Sequence, residues 1–362
     1  MASRLSAIRE IMKEKGNGGL LISSEHNRRY LSGFTGSAGY LFITQEDAVL
    51  ATDFRYIEQA GLQAPDYRVV RISSNREWFS ELIQELNIRE LCFESDDVTV
   101  ATYEQFTQRL NEASGNVSAV SLTGITGITN DLRTIKDDHE MELLQQAIDI
   151  ADAAMDAVVP TIEPGITEAE VAWRLEKAMR EMGAESPSFD TIVGSGPNGA
   201  LPHHRAGDRV IQSGEPIVID MGAKYQGYCS DLTRTIILGE QNETFRRIYD
   251  IVLGAQLTSM NLVKPGITGG EADGYAREVI NQAGHGDNFG HSLGHGVGLE
   301  VHEYPGVGPT STGVLREGMV FTIEPGIYIS GWGGVRIEDI VLMGKTGATT
   351  LSKARKLEYM GD

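Results

Sequence analysis

ELLQQAIDIADAAMDAVVPTIEPGITEAEVAWRLEKAMREMG spans residues 142–183, and ETFRRIYDIVLGAQLTSMNLVKPGITGGEADGYAREVINQAG spans residues 243–284. Laid over one another at an offset of 101, the two stretches align without a gap. Glu142 falls on Glu243, Asp149 on Asp250, and Pro164-Gly165-Ile166-Thr167 on Pro265-Gly266-Ile267-Thr268. Each copy reads as a helix, a PGIT turn and a second helix. Thr167/Glu170 and Thr268/Glu271 have the Thr-x-x-Glu spacing of a capping box, which satisfies backbone N–H groups left open at a helix start. Gly183 and Gly284 stand where a helix closes on a left-handed residue. A match of this length, with its punctuation, implies duplication within a single domain.

The strands that follow repeat too. SGEPIVID (213–220) resembles EGMVFTIE (317–324), and each carries a carboxylate at its far end, Asp220 and Glu324. A second strand follows in both halves: SDLTRTIIL carries Asp231, and GVRIEDIVL carries Glu338. Taken alone, Asp220 reads as a turn residue ending a strand. Four carboxylates in repeat-related places are different, because an unpartnered buried charge is costly. A shared cationic partner resolves that cost.

One more ligand is expected from FGHSLGHGVGLEVHE (289–303), where glycines let the backbone pass close to a site while His295 points inward. One imidazole with four carboxylates suits a pair of hard or borderline divalent ions that share bridging carboxylates. Two such ions can bind and activate one hydroxide while polarising the bond under attack. Metal-assisted hydrolysis is the reaction class that follows. Asp339, next to Glu338, should face the other side of a regular strand and take a solvated or cross-strand role. Cys229 lies two residues before Asp231 and reads as a small buried packing residue. His285, in a GHGDN loop, reads as exposed.

Residues 1–122 lack the repeat. LLIS (20–23), GYLFIT (39–44), AVLATD (48–53) and RVVRIS (68–73) read as short strands, with helix patterns at 3–15, 75–86 and 101–113. This is an alternating α/β layer. The aperiodic stretch within 123–136 reads as a linker, leaving 137–362 as the duplicated domain. The chain has 362 residues and a net charge of -20, so there is no Lys/Arg surplus for nucleic acid. Two cysteines exclude a disulfide scaffold and point to a reducing, cytoplasmic setting. MASRLSAIREIMKEKG is a charged helix pattern without a signal core, and no apolar run reaches a membrane span. GFTGSAG lacks the lysine and spacing of a phosphate loop, which argues against nucleotide binding.

The order Asp220, Asp231, His295, Glu324, Glu338, set in VIDMG, SDLTRT, GHSLGHGVGLEVHE, TIEPGIY and GVRIED, resembles the dinuclear metal set of the pita-bread metallopeptidases. RRYLSGFTGSAGY (28–40) and TDFRY (52–56) narrow the likeness to aminopeptidase P and prolidase, which join a creatinase-like α/β N-terminal domain to the catalytic one. The resemblance implies an α+β fold and an Xaa-Pro exopeptidase with two divalent ions, Mn²⁺ first, Co²⁺ or Zn²⁺ as alternatives. It implies that Asp231 and Glu338 bridge the ions, Asp220 completes one, and His295 with Glu324 completes the other. Glu324 would also handle the proton of the bridging water. By the same likeness His203 in NGALPHHR and His291 lie at the site wall, His302 steadies substrate, and Tyr328 and Arg336 orient the ligands. A homodimer whose N-terminal domain helps wall the site is implied as well. The substrate is a peptide with proline second. The YLSGFTGSAG segment favours aminopeptidase P, acting on longer peptides, over prolidase, acting on Xaa-Pro dipeptides. An inactive binding protein and a metal-free creatinase-like amidine hydrolase are disfavoured because all five ligands are present.

Overall fold

The computed structural model describes residues 3–74, 77–113 and 120–357, which form two compact units, Met1–Arg133 and Thr134–Asp362. The first unit is built on six strands, β1 (Gly19–Ile22), β2 (Tyr40–Ile43), β3 (Ala48–Thr52), β4 (Arg68–Arg71), β5 (Glu90–Glu94) and β6 (Ser121–Ile125), in the order β4-β3-β2-β1-β5-β6. The β1–β2 and β2–β3 pairs are antiparallel, and the remaining three are parallel. The four expected strands are present. So are helices at Arg4–Lys15, Glu77–Glu85 and Val100–Ala113; positions 75 and 76 of the expected second helix lie outside the described residues. An aromatic core of Phe42, Trp78, Phe79 and Phe106 holds the layer, with Phe79 stacked on Phe106 at 4.0 Å. The Glu25–Ser32 helix buries Arg28, whose guanidinium donates to the carbonyls of Ser23, Gly36 and Gly39. The glycine-rich 33–39 segment is thus folded around a cation from its own unit. The stretch read as a linker contains the end of β6 and a short helix, Asn130–Thr134.

In the second unit the repeat is visible throughout. The first helix pair is Asp138–Val158 and Glu168–Glu181; the second is Glu243–Leu262 and Gly269–Gln282. Thr268 and Glu271 form the full reciprocal box, whereas Thr167 makes only its half, because Glu170 turns its carboxylate to Arg174 at 2.8 Å. Gly165 and Gly266 in the PGIT turns have φ of +103° and +100°, and Gly183 and Gly284 have +107° and +82°. These are left-handed conformations that a Cβ disfavours. Each half also has its own core: Ile150, Leu175, Met179 and Ile219 in one, Val252, Ala272, Phe321 and Val341 in the other.

Behind the first helix pair the strands Ile192–Ser195, Pro216–Met221 and Leu232–Ile237 form an antiparallel sheet. Behind the second, Gly294–Gly296, Val320–Ile323 and Asp339–Met343 are joined in the same antiparallel order within five strands. One expectation fails here. GVRIEDIVL is two strands, not one: Gly333–Arg336 pairs with Gly326–Ile329, and Asp339–Met343 pairs with Val320–Ile323. The chain changes sheets at Ile337-Glu338, where the apolar alternation breaks at the paired acids Glu338-Asp339. No helix among the described residues is long and apolar enough to cross a membrane.

Candidate metal centre

Strand ends place the carboxylates. Met221 pairs with Leu232, so Asp220 and Asp231 flank one antiparallel crossing; Ile323 pairs with Asp339, so Glu324 and Glu338 flank its repeat equivalent. His295 sits in the middle of the short Gly294–Gly296 strand. A Cβ at Gly294 would come within 2.0 Å of the Thr322 carbonyl oxygen and one at Gly296 within 2.3 Å of the Tyr304 carbonyl oxygen, so only glycine fits on either side of the imidazole. Asp231, His295 and Glu338 present ligand atoms within 4.8 Å of one another. His295 Nε2 lies 3.2 Å from Glu324 Oε1 and 3.6 Å from Asp231 Oδ2. Asp220 lines the same cavity, of about 460 Å³.

Surrounding hydroxyls and a guanidinium fix these carboxylates. Thr233 Oγ1 donates to Glu338 Oε2 at 2.6 Å, and Thr322 Oγ1 donates to Glu324 Oε1 at 3.0 Å. Arg336 pairs with Asp220 Oδ2, donates to Thr233 Oγ1 at 3.0 Å, and donates to the Tyr328 hydroxyl at 2.9 Å. His291 Nε2 lies 2.9 Å from the same hydroxyl. A further layer holds the strands: Gln256 Nε2 donates to the carbonyls of Ile323 and Ile337, the residues just before Glu324 and Glu338, both at 3.2 Å. Arg234 Nη1 donates to Thr233 O, and Arg234 Nη2 lies 2.8 Å from Asp339 Oδ1. Asp339 therefore does face away from the ligands, but it is buried in a cross-strand ion pair, not solvated. Sequence reading missed Thr233, Thr322, Arg234 and Gln256. The two threonines carried a signal, since each stands two residues from a carboxylate and so on the same strand face. Arg234 and Gln256 carried none.

Electrostatics single out the cluster as incomplete by itself. Burial, with the neighbouring Glu338, Asp220 and Glu324 charges, holds the Asp231 carboxyl well above the usual carboxylate range. Burial with Glu324 and Asp220 does the same to Glu338, and burial raises Asp220 against the pull of Arg336. Glu324 goes the other way: burial opposes its charge, but the hydrogen bond and charge of His295 bring it to about 2. Burial opposes the charge on His295, yet Glu324 raises it overall. Two buried carboxylate oxygens, Asp220 Oδ1 and Glu338 Oε1, have no hydrogen-bond partner among the described residues. Hard oxygen donors, one imidazole, mutual repulsion and orphaned oxygens together fit divalent cations.

The remaining predicted residues gather at the cavity. His203, His291, His302 and Arg336 line it, and Tyr328 reaches it through Arg336 and His291. The His203-His204 pair separates clearly: His204 Nε2 contacts Glu168 Oε2 at 2.8 Å, while His203 is exposed toward the cavity. Cys229 is buried against the Leu299 carbonyl, and burial pushes its thiol up to about 11. His285 is half-buried beside Asn288, not exposed.

Comparison with known proteins gives the geometry its lineage. Residues 142–345 match the model of metallopeptidase family M24, and residues 4–135 match the creatinase/prolidase N-terminal domain. An Xaa-Pro dipeptidase of Pyrococcus horikoshii is 41% identical over 98% of both chains. The structure of an Xaa-Pro dipeptidase from Bacillus anthracis superposes with a TM-score of 0.93 at 43% identity over 98% of both chains. That of an X-Pro aminopeptidase from Thermotoga maritima does so with 0.89 at 36% identity, over 98% of this chain and 99% of the other. The chain belongs to metallopeptidase family M24, with the pita-bread catalytic fold and a creatinase/prolidase N-terminal domain.

Proposed function

We propose that this metallopeptidase is an Xaa-Pro dipeptidase that works with two divalent metal ions. The observation that carries the chemistry is the buried cluster of Asp220, Asp231, Glu324, Glu338 and His295, whose repulsion and orphaned oxygens need cationic charge. Asp231 and Glu338 would bridge the ions, Asp220 would complete one, and His295 and Glu324 the other. When bound, the ions supply an activated water and polarise the scissile carbonyl. The chain's own side chains do the rest. Glu324 takes the proton of the attacking water and delivers it to the leaving proline nitrogen as the C–N bond breaks. His302, held low by burial and by the His295 charge, stays a neutral imidazole that donates to the developing oxyanion. His203 faces the substrate beside it. Arg336 and Tyr328 keep Asp220 and His291 in place.

The dipeptidase reading is supported by the relatives named Xaa-Pro dipeptidase at 40% identity or more, ahead of the aminopeptidase P reading that YLSGFTGSAG favours. The second reading retains support from the X-Pro aminopeptidase of Thermotoga maritima. Mn²⁺, with Co²⁺ or Zn²⁺ as alternatives, a homodimeric state and a cytoplasmic setting complete the proposal. The deciding experiment offers Ala-Pro and Ala-Pro-Ala to the Mn²⁺-loaded enzyme. Release of alanine from the dipeptide alone is the expected result, and cleavage of the tripeptide alone would assign aminopeptidase P. Asp231→Asn should lose both turnover and bound metal while keeping its circular dichroism spectrum. Full activity in that variant would sink the metal assignment.

A further inference from the structure

Residues 202–206 alternate in the cavity wall. His204 is half-buried and held by the Glu168 carboxylate, which also receives Ser195 N at 2.8 Å, Ser195 Oγ at 2.7 Å and Asn198 Nδ2 at 3.1 Å. Glu168 is fully buried, so the loop is anchored from beneath at several points. Pro202 O accepts from Arg336 Nη1 at 3.4 Å and ties the same loop to the metal ligands. With the middle residue turned inward, the side chains on either side, His203 and Arg205, are both exposed and both line the cavity. Pro202 and His203 form a turn closed by the His204 N–H on the Leu201 carbonyl at 3.0 Å.

Arg205 differs from Arg336, the other guanidinium lining the cavity, in being uncommitted. Arg336 is tied to Asp220, Thr233 and Tyr328; His295 to Glu324; His291 to Tyr328; His204 to Glu168. Arg205 makes no hydrogen bond or ion pair with another described residue. Asp190 lines the same rim and forms no ion pair with it. A guanidinium is charged at every working pH and presents a fork that matches a carboxylate.

An Xaa-Pro dipeptide bears a carboxylate one residue beyond its scissile bond, whereas a longer peptide has a neutral amide there. That anion gives up water on entering the cavity, and a charge-assisted pair with a permanent cation on the rim replaces what it loses. We propose that Arg205 is a specificity-determining residue that holds the free α-carboxylate of the substrate's proline, an assignment that rests on the dipeptidase reading. The unit fixed by Glu168 thus presents His203 toward the bond that breaks and Arg205 toward the end of the molecule.

The test compares Ala-Pro with Ala-Pro amide, which removes only the negative charge, on the Mn²⁺-loaded wild type, Arg205→Ala and Arg205→Lys. Arg205→Ala should lower kcat/KM for Ala-Pro about 10- to 100-fold, the range of a charge-assisted hydrogen bond, mainly through KM. The amide should change by less than about twofold, and Arg205→Lys should fall between. Equal loss on acid and amide, or no loss on the acid, overturns the proposal. Calorimetric binding of L-proline and L-prolinamide to the same three proteins judges Arg205 even if the wild type fails to cleave Ala-Pro. A preference for the acid that disappears in Arg205→Ala upholds the carboxylate site while the dipeptidase reading falls; a preference that persists sinks the site itself.

Discussion

At the scale of single residues, Thr233 shows how a metal site is tuned by groups that never touch the metal. Its hydroxyl donates to Glu338 and accepts from Arg336, which in turn holds Asp220. Thr233→Val keeps the shape and removes both bonds. Metal affinity should fall about 10- to 100-fold, the usual cost of losing such a partner, as read by calorimetry. An unchanged affinity would show that Glu338 is oriented by backbone alone. Protons compete for the same carboxylates. The carboxyls of Asp231 and Glu338 are raised in the metal-free chain, so above the ordinary carboxylate range they still hold protons that a cation must displace. Metal binding at a pH between the ordinary and the raised values should therefore release protons, and affinity should climb as pH rises toward those raised values. Titrations in buffers of different ionisation heat measure the release directly. The five candidate ligands could be picked out of the sequence because four carboxylates at strand ends, and His295 between glycines, stand out against apolar runs. Arg234 and Gln256 could not, because nothing in a linear chain reveals that their donors end on strands about a hundred or about seventy residues away.

Among elements, the PGIT turns were read correctly for a physical reason. Gly165 and Gly266 adopt φ near +100°, where the absence of a Cβ is required, and the same tetrapeptide produced the same turn twice. The sheet change at Ile337-Glu338 escaped because the run holds no glycine or proline to mark a break, although its alternation is interrupted at Glu338-Asp339. A pair of substitutions separates local conformation from packing. A Cβ at Gly266 meets nothing within 4 Å, so the cost of Gly266→Ala is purely conformational, about 1–2 kcal/mol of stability. Gly254 lies inside the Glu243–Leu262 helix with equally open space and no positive φ. Gly254→Ala should stabilise by about 0.5–1 kcal/mol through the unfolded chain and helix propensity. Urea unfolding of both variants checks the two signs together; two losses would mean that the open space at Gly254 is needed for something else.

For the molecule as a whole, duplication explains why the catalytic domain carries a cost in its centre. Each half contributes two carboxylates from the ends of one strand pair, and Arg336 and His295 of the second half offset only part of the charge brought together. The metal-free fold must therefore hold Glu338 against its neighbours, and a raised carboxyl there means that folding favours the protonated form. The sign follows by linkage. With the folded value above the unfolded one, the stability due to Glu338 is fully present below the unfolded value and is lost as pH rises through the folded value. Glu338→Gln imitates the protonated carboxyl at every pH. Without metal, that variant should be more stable than the wild type by on the order of 1–3 kcal/mol, increasingly so toward alkaline pH. With saturating Mn²⁺ the order should reverse, because binding to the folded state alone stabilises the wild type by about 2.7 kcal/mol at a hundredfold excess over Kd, and the variant gains less. Denaturant midpoints of both proteins, with chelator and with Mn²⁺, give four values. If the wild type is the more stable in chelator as well, the buried carboxylates are not repelling one another, and the electrostatic case for a cation pair at this centre is lost.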